Sequence, residues 1–378
     1  MNRSFVFGVA ASEYNFTGRT SETKRLIANF KEGINTILIS PRRWGKTSLV
    51  KHVCRQLEND PSMITVYMDI FSCKSEYDFY NEFAASILKQ TASKKDLWME
   101  NAKDFISRLS PTISYKPEPY TDFSLSLGIT PKTHTPEEVL SLAEDIAKKK
   151  NQHIVVCIDE FQRIGEFSDT KYIQRRLRTV WQHQELTSYC LFGSKRHLMS
   201  SMFQYRNMPF YQFGEMMYLQ RIPTEEWIPY IVSHFEERNR HINQELAAKI
   251  CESVDNFSSY VQQLSWIIFN QLEEGETAME NHLINGIQEL LDTNELLFMQ
   301  QIEPLSEYQL NFLRAILAGH HTAFGEKKVR EGFNLGSTSN IARIKTALID
   351  RDLIDTDGKN IFINDPVFSL WLKRKIYY

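Results

Sequence analysis

Several features that mark particular classes of protein are missing from this sequence. The formal net charge is only −3 over 378 residues, so no overall basic field attracts nucleic acid and any such contact needs a local patch. The five cysteines form no Cys-x-x-Cys pair and indicate a reducing compartment, and the ten histidines show no spacing of metal ligands. No apolar run approaches the length of a membrane span, and no repeat or low-complexity segment occurs. We therefore expect a cytoplasmic globular protein with no membrane partner.

The most informative stretch runs from residue 40 to 47 and reads Ser-Pro-Arg-Arg-Trp-Gly-Lys-Thr. It matches the phosphate-binding pattern Gly-x-x-x-x-Gly-Lys-Thr, with Ser40 at the first glycine position. An apolar, β-branched run precedes it at Thr36–Ile39, and helical spacing follows from Thr47 to Leu57. A strand, a tight loop and a helix in this order aim backbone N–H groups and the positive end of a helix dipole at an anion. The alternative is an ordinary strand-to-helix turn that contains Gly-Lys-Thr by chance.

Each residue of the loop has a predicted role toward ATP or ADP. Gly45 lets the backbone pass close to the phosphates, Lys46 carries the charge for the β and γ phosphates, and Thr47 offers a hydroxyl to Mg²⁺. Ser40 restricts the turn but removes no phosphate ligand. The predicted nucleotide contacts in this stretch are Pro41, Arg42, Arg43, Trp44, Gly45, Lys46, Thr47 and Ser48.

A second apolar run, from residue 153 to 158, ends in two adjacent acids, Asp159 and Glu160. Ligands of open α/β sheets bind at the carboxyl ends of the strands, where these acids are expected. In such sites one acid holds Mg²⁺ and the next polarises the attacking water, which predicts Thr47 and Asp159 for the metal and Glu160 for the water. The alternative is a strand that ends in solvated acids.

A third strand pattern, Ser188–Phe192, leads into Gly193 and Ser194. A small polar side chain at this strand end could contact the γ-phosphate or the attacking water, and the alternative for Ser194 is a helix N-cap. The predicted catalytic residues are Lys46, Glu160 and Ser194.

Strands alternate with helices from residue 37 to 219, which predicts an α/β unit with a parallel sheet and helices on both faces. The pattern is then entirely helical until two short strands, joined by an Asp-Gly turn, follow three predicted helices near the end. Three helices and a hairpin predict a winged helix. The predicted domains are a P-loop core (1–222, with a helix at 96–109 and a hairpin insertion at about 110–130), a helical lid (223–300) and the winged helix (301–378).

Together these motifs resemble the archaeal-type ATPase family of the AAA+/STAND group, which also occurs in bacteria. The resemblance runs from about Phe16 to Leu372 and implies an AAA+-like P-loop ATPase core, a lid and a C-terminal winged helix. It also implies that ATP lies between core and lid, with contacts near Gly18 and Arg19. The motifs that carry it are Phe-x-Gly-Arg (16–19), Pro-Arg-Arg-x-Gly-Lys-Thr-Ser-Leu (41–49), Ile-Asp-Glu-Phe-Gln (158–162), Gly-Ser (193–194) and Asp-Pro-Val-Phe (365–368), with Trp371 and Leu372.

One further departure from the family pattern concerns an arginine finger. The family often shows Leu-Tyr-Gly-Arg before its last core strand, whereas residues 210–215 here read Phe-Tyr-Gln-Phe-Gly-Glu. Stimulation of hydrolysis by an arginine from the same chain is therefore in doubt. The replacement candidates, by position alone, are Arg42, Arg43, Arg176 and Arg196.

Three functions compete at this point. The first is an ATP-driven conformational switch, in which nucleotide turnover moves the lid and winged helix, acting alone or with a protein partner or a second copy. The second is an ATP-regulated DNA-binding protein that resembles replication initiators, with a solvated basic face as the alternative. The third is a small-molecule P-loop kinase, which no acceptor pocket in the sequence supports. The basic residues considered for DNA are Arg343, Lys345, Arg351, Lys359, Lys373, Arg374 and Lys375.

Overall fold

The computed structural model describes residues 3–91 and 135–377. The helix expected at 96–109 and the hairpin insertion expected near 110–130 lie outside the described residues. The chain divides into two units, one formed by Arg19–Gln220 and the other by Met1–Gly18 together with Arg221–Tyr378. We call them the sheet unit and the helical unit.

The sheet unit is built on five parallel strands in the order β2-β3-β4-β1-β5. The strands are β1 (Thr36–Ile39), β2 (Met63–Asp69), β3 (His153–Asp159), β4 (Thr187–Gly193) and β5 (Glu215–Tyr218). The helices are α1 (Thr20–Lys31), α2 (Lys46–Leu57), α3 (Glu76–Thr91), α4 (Pro136–Lys150), α5 (Thr170–Trp181) and α6 (Arg196–Gln204), with a 3₁₀ helix at Phe161–Glu166.

The central strands are buried along almost their whole length, as parallel strands with covered faces should be. Their register brings the carboxyl ends together at one edge, since Ile39 lies opposite Gly193 and Asp69 lies opposite Asp159. The polar residues that follow β1, β3 and β4 therefore meet at this edge. The α/β prediction with a parallel sheet is confirmed.

An aromatic cluster anchors the segments behind this edge. The Trp181 and Tyr189 rings stack with centroids 4.0 Å apart, and Phe161 at the start of the 3₁₀ helix packs against Trp181 and Phe210. All four side chains are buried. Because Phe161 follows Glu160 directly, this packing fixes the backbone that carries the second acid.

The helical unit contains the all-helical region that the sequence predicts. Its elements are α7 (Thr224–Glu236), α8 (Gln244–Ser253), α9 (Ser258–Asn270), α10 (Glu280–Ile302), α11 (Glu307–Leu317), α12 (Lys327–Gly332), α13 (Thr338–Asp350), β6 (Ile354–Asp357), β7 (Asn360–Ile363) and α14 (Pro366–Tyr377). No helix within 3–91 or 135–377 has both the length and the hydrophobicity needed to cross a bilayer.

The first described residues belong to the helical unit, whereas the sequence assigned residues 1–222 to the core. Phe5 is buried and its ring lies 5.7 Å from that of Phe235. The side-chain Nδ2 of Asn15 donates to the Tyr230 hydroxyl at 3.2 Å, and the backbone N–H of Val6 donates to Gln262 Oε1 at 3.1 Å. The segment 3–18 is therefore anchored on α7 and α9, and periodicity could not show this because the segment has no regular structure.

The last elements, which we call the C-terminal module (Glu307–Tyr377), follow the predicted order of three helices and a hairpin. The β6–β7 pair is antiparallel, with Ile354 opposite Ile363. The final helix α14 packs on α10, because the rings of Phe368 and Trp371 lie 5.4 and 5.6 Å from that of Phe298. This contact joins the C-terminal module to the rest of the helical unit.

Candidate nucleotide-binding site

The loop between β1 and α2 has the backbone geometry of a tight turn into a helix. Gly45 is the residue before α2 and has φ +91°, a left-handed conformation that favours glycine. A Cβ at this position would meet no atom within 4 Å, so backbone conformation rather than crowding requires the glycine. Arg43 is also left-handed, with φ +64°. Ser40 is not among the described residues with positive φ, so replacement of the usual glycine costs little here.

Lys46 is held tightly over this loop. Its side chain is buried, and Nζ donates to the carbonyl oxygens of Ser40 and Pro41, each at 3.0 Å. The ammonium group therefore lies at the first turn of α2, where the helix dipole is positive and backbone N–H groups have no helical acceptor. Ser48 is half-buried in the same turn. This arrangement suits an anion that bears several negative charges.

Thr47 and Asp159 meet across the carboxyl edge of the sheet. Thr47 Oγ1 donates to Asp159 Oδ2 at 2.7 Å, and the Tyr67 hydroxyl donates to the same oxygen at 3.0 Å. Asp159 is 4% exposed, and burial raises its pKa, while the hydrogen bonds from Thr47 and Tyr67 oppose that shift. A hydroxyl and a carboxylate are hard oxygen ligands that fit Mg²⁺, which usually completes its shell with water and substrate phosphates.

Glu160 is held in position by two donors. It has φ +55°, and its Oε2 accepts hydrogen bonds from Ser194 Oγ at 2.9 Å and from the amide of Gln162. Arg42 Nε in turn donates to Ser194 Oγ at 3.4 Å. A left-handed non-glycine residue costs roughly 1–3 kcal/mol and persists where the surrounding structure holds it. The strained residue here is the predicted water-polarising acid.

Ser194 therefore contacts the second acid and does not cap a helix. The residue before α6 is Lys195, and its side chain makes no capping hydrogen bond. Ser194 itself is buried and donates to Glu160. Residues at or just beyond the carboxyl ends of β1, β3 and β4 are thus brought to one edge of the sheet: Lys46, Thr47, Asp159, Glu160 and Ser194.

A family model described as an AAA domain matches residues 31–199, the stretch that contains all of these side chains. Residues 31–199 are similar to an AAA domain, and we call this stretch the AAA domain. A comparison with curated proteins found no match.

The AAA domain and the helical unit together resemble known structures. A Walker-type ATPase of Pyrococcus abyssi superposes with a TM-score of 0.71 at 15% identity, covering 98% of this chain and 100% of that chain. The ORC2 protein of Aeropyrum pernix, in ADPNP–ADP complexes, gives a TM-score of 0.56 at 14% identity, covering 100% of this chain and 98% of that one. The ADP form of the same protein gives 0.57 at 14% identity, with coverage of 99% and 98%. The predicted AAA+-like P-loop fold is confirmed, and the AAA domain supports the predicted P-loop ATPase activity.

The two other residues predicted to contact nucleotide, Gly18 and Arg19, precede the AAA domain in the sequence. Arg19 has φ +67°, and its guanidinium donates to the carbonyl oxygen of Trp44 at 2.9 Å and to Glu22 at 2.8 Å. Arg19 therefore stabilises the backbone of the phosphate loop at Trp44. Gly18 belongs to the helical unit, where a Cβ would lie 2.8 Å from both Ile222 and Glu226. Contact of either residue with nucleotide stays a prediction.

The arginine candidates in the AAA domain differ in their surroundings. Arg176 pairs with Glu76 and Glu137 at 3.7 and 3.4 Å and donates to the Tyr80 hydroxyl at 3.3 Å, so it joins α5 to α3 and α4. Arg42 lies beside Ser194 and Arg43 is exposed in the loop, whereas Arg196 begins α6.

Glu215, which stands where the family motif has arginine, serves a structural role. It pairs with Arg25 of α1 at 2.8 Å and accepts from Asn29 at 2.5 Å, which joins α1 to β5.

Sequence reasoning missed two residues of the site. Tyr67 reaches Asp159 from β2, and burial together with the nearby carboxylate raises its phenol pKa well above the ordinary range. Gln162 is 2% exposed and contacts Glu160. A Cβ on Gly193 would lie 1.9 Å from Gln162 Oε1, so this glycine makes room for the buried amide. The feature of the sequence that could have indicated this close packing is Gly193, directly before Ser194.

Proposed function

We propose that this chain is a STAND-type switch that binds ATP with Mg²⁺ on the AAA domain and hydrolyses it slowly or when a partner stimulates it. The cycle would change the arrangement of the helical unit, including its predicted winged helix. One observation carries the proposal. Thr47 at the start of α2 and Asp159 at the end of β3 meet at 2.7 Å, and each is adjacent in sequence to a further predicted site residue, Lys46 and Glu160.

The phosphate loop supplies binding. Lys46 would neutralise charge on the β and γ phosphates, and the N–H groups at the start of α2 would hold their oxygens. Thr47 and Asp159 would hold Mg²⁺, which when bound stabilises negative charge on phosphate oxygens. Burial of Asp159 favours this role, since a buried carboxylate gains from a nearby cation more than an exposed one does.

Glu160 and Ser194 supply the hydrolytic function. The hydrogen bonds that Ser194 and Gln162 donate to the Glu160 carboxylate both end on Oε2, so we assign Oε1 to the attacking water. In this position Glu160 would orient the water and take up its proton. Ser194, which lies between Glu160 and Arg42, would contact the water or the γ-phosphate.

The coupling we propose uses the rigid connection within the helical unit. Besides the ring contacts on Phe298, the Tyr260 hydroxyl donates to Asp365 Oδ2 at 2.5 Å, joining α9 to the residue before α14. A displacement of α9 and α10 would therefore carry the C-terminal module with it. Hydrogen exchange in ATP, ADP and no nucleotide tests this, because the proposal requires nucleotide-dependent protection in the helical unit.

The enzymatic part is tested by ATP turnover in wild type and in Lys46→Ala. We expect loss of turnover because the phosphate charge is no longer neutralised. Lys24→Ala is the matched control, since Lys24 is exposed on α1 and does not take part in the site. Equal rates in wild type and Lys46→Ala would refute the proposal.

Regulated DNA binding is the second candidate, and a specific observation favours it. Arg343, Arg351 and Lys359 are exposed on the C-terminal module, and none forms an ion pair with a carboxylate in the described part of the chain. The basic residues near the end of α14 are less available to phosphates, because Lys375 pairs with Glu295 at 2.6 Å and Arg374 donates to Gln288.

A duplex-binding titration at two salt concentrations decides this candidate. Phosphate contacts predict that affinity falls with salt, and that Arg343→Ala lowers the logarithmic salt slope by about 1. Arg206→Ala is the matched arginine control, because Arg206 is exposed in the sheet unit after α6. Affinity that does not change with salt argues against DNA binding.

A further inference from the structure

Three cysteines lie on neighbouring elements of the sheet unit and have no role in the proposed hydrolysis of ATP. Cys54 is on α2, Cys157 on β3 and Cys190 on β4. The sulfur atoms of Cys54 and Cys157 lie 3.9 Å apart, and Cys157 lies directly opposite Cys190 in the strand register. All five cysteines of the chain are free thiols.

Accessibility distinguishes Cys54 from the others. It is half-buried, whereas the remaining four cysteines are buried. The contact with the Cys157 sulfur lowers the pKa of the Cys54 thiol, and Thr65 and the charge of Arg55 act in the same direction, while burial opposes this shift. Thiolate character and access together determine which thiol reacts first with an oxidant.

Both members of the close pair lie on elements that carry site residues. Cys54 follows Lys46 and Thr47 on α2 by about two helical turns. Cys157 lies on β3, which ends at Asp159. The Thr47–Asp159 hydrogen bond joins the same two elements at the carboxyl edge of the sheet. A covalent bond between Cys54 and Cys157 would therefore act on the geometry of that hydrogen bond.

We propose that Cys54 and Cys157 are an oxidation-sensitive pair, and that a disulfide between them, formed by hydrogen peroxide, inhibits nucleotide turnover. The Cys54 thiolate attacks one peroxide oxygen and the O–O bond breaks, giving a sulfenic acid and hydroxide. The Cys157 thiol then attacks the Cys54 sulfur, the S–S bond forms, the S–O bond breaks and water leaves. In total the two thiols lose two electrons and two protons, and peroxide becomes two waters.

The expected effect follows from the distance. A disulfide requires about 2.05 Å between sulfurs, so closing the 3.9 Å gap needs movement of α2 toward β3 or rotation of both side chains. Tight packing of α2 against the sheet transmits such a shift, since Val50 and Val53 on the same helix are fully buried. A misplacement of about 1 Å costs up to about a hundredfold in rate, which is the loss we expect.

The experiment uses the full chain treated with hydrogen peroxide and digested without reductant. We expect a Cys54–Cys157 peptide by mass spectrometry, a large loss of ATP turnover, and recovery of turnover with dithiothreitol. Cys54→Ser should form no such peptide and keep its turnover in peroxide, whereas the control Cys251→Ser should behave as wild type. In Cys157→Ala, which lacks the resolving thiol, dimedone should label Cys54.

The outcomes separate this inference from the proposed function, on which only the turnover readout rests. A wild-type protein that turns over ATP but gives no Cys54–Cys157 peptide overturns the inference, as does a peptide without loss of turnover. Absence of dimedone label on Cys54 also contradicts it. A reduced protein that binds and hydrolyses no ATP refutes the proposed function, while the disulfide peptide still tests the pairing.

Discussion

Replacing Gly193 by alanine should disable the second acid of the site without removing any group that touches nucleotide. The new Cβ would lie 1.9 Å from Gln162 Oε1 and 3.1 Å from Met199 Sδ. The first distance is far below van der Waals contact, so the buried amide of Gln162 must move and release Glu160.

The size of the effect follows from the lost contact. A hydrogen bond to a charged group contributes roughly 1.5–3 kcal/mol, and each 1.36 kcal/mol corresponds to about tenfold in rate. We therefore expect kcat of Gly193→Ala to fall by about ten- to a hundredfold. The Kd for ATP should change little, because the phosphate loop and Lys46 are not altered.

A double-mutant cycle tests the mechanism through steady-state turnover and equilibrium binding of ATP. When Gly193→Ala is combined with Gln162→Ala, the new Cβ has no side-chain amide to displace. The further effect of Gly193→Ala on kcat should therefore be small. Gly165→Ala is a suitable control, because a Cβ there meets only Met202 Sδ at 3.7 Å. Additive losses in the cycle, or full activity of Gly193→Ala, would refute the reasoning.

Three other outcomes are expected. Burial raises the pKa of Asp159 in the folded state above its unfolded value, so ionisation of this carboxyl destabilises the folded state above the unfolded pKa. Asp159→Asn should therefore be more stable than wild type at pH 7 but not at about pH 3. Urea unfolding at the two pH values measures the difference in stability, and an equal gain in stability at both contradicts the prediction. Thr47→Val should lose the magnesium dependence of ATP affinity while Thr47→Ser keeps it, as calorimetry with and without Mg²⁺ would show; magnesium dependence that survives in the valine variant counts against the assigned ligand. If a neighbouring copy supplies the arginine that position 215 lacks, the mass in solution should increase with ATP, and a constant monomer mass with stimulated turnover points to a protein partner instead.

Local patterns were sufficient to predict the elements that form the site. The loop pattern around Lys46, the apolar run before Asp159 and the strand before Ser194 each lie within a few residues of the side chain they position. Since parallel strands align their carboxyl ends, the meeting of these three segments could also be predicted.

The remaining parts depend on contacts that no local pattern encodes. Tyr67 reaches Asp159 because β2 pairs with β3 in one register, and the two residues are 92 positions apart. Gln162 resembles any polar residue after a strand until the space over Gly193 is known. Position alone made Arg176 a candidate arginine finger, since its partners Glu76 and Glu137 are distant in sequence and no local pattern shows the ion pairs.

The assignment of residues 3–18 to the helical unit has a consequence for motion. The backbone passes from the helical unit to the sheet unit after Gly18 and returns after Gln220, so two peptide connections join the units. Each unit is therefore tied to the other at two points of the chain, and both connections limit a relative displacement of the units. Cleavage of the chain near residue 18 would remove one of the two constraints and leave Phe5 and its segment noncovalently held by α7 and α9.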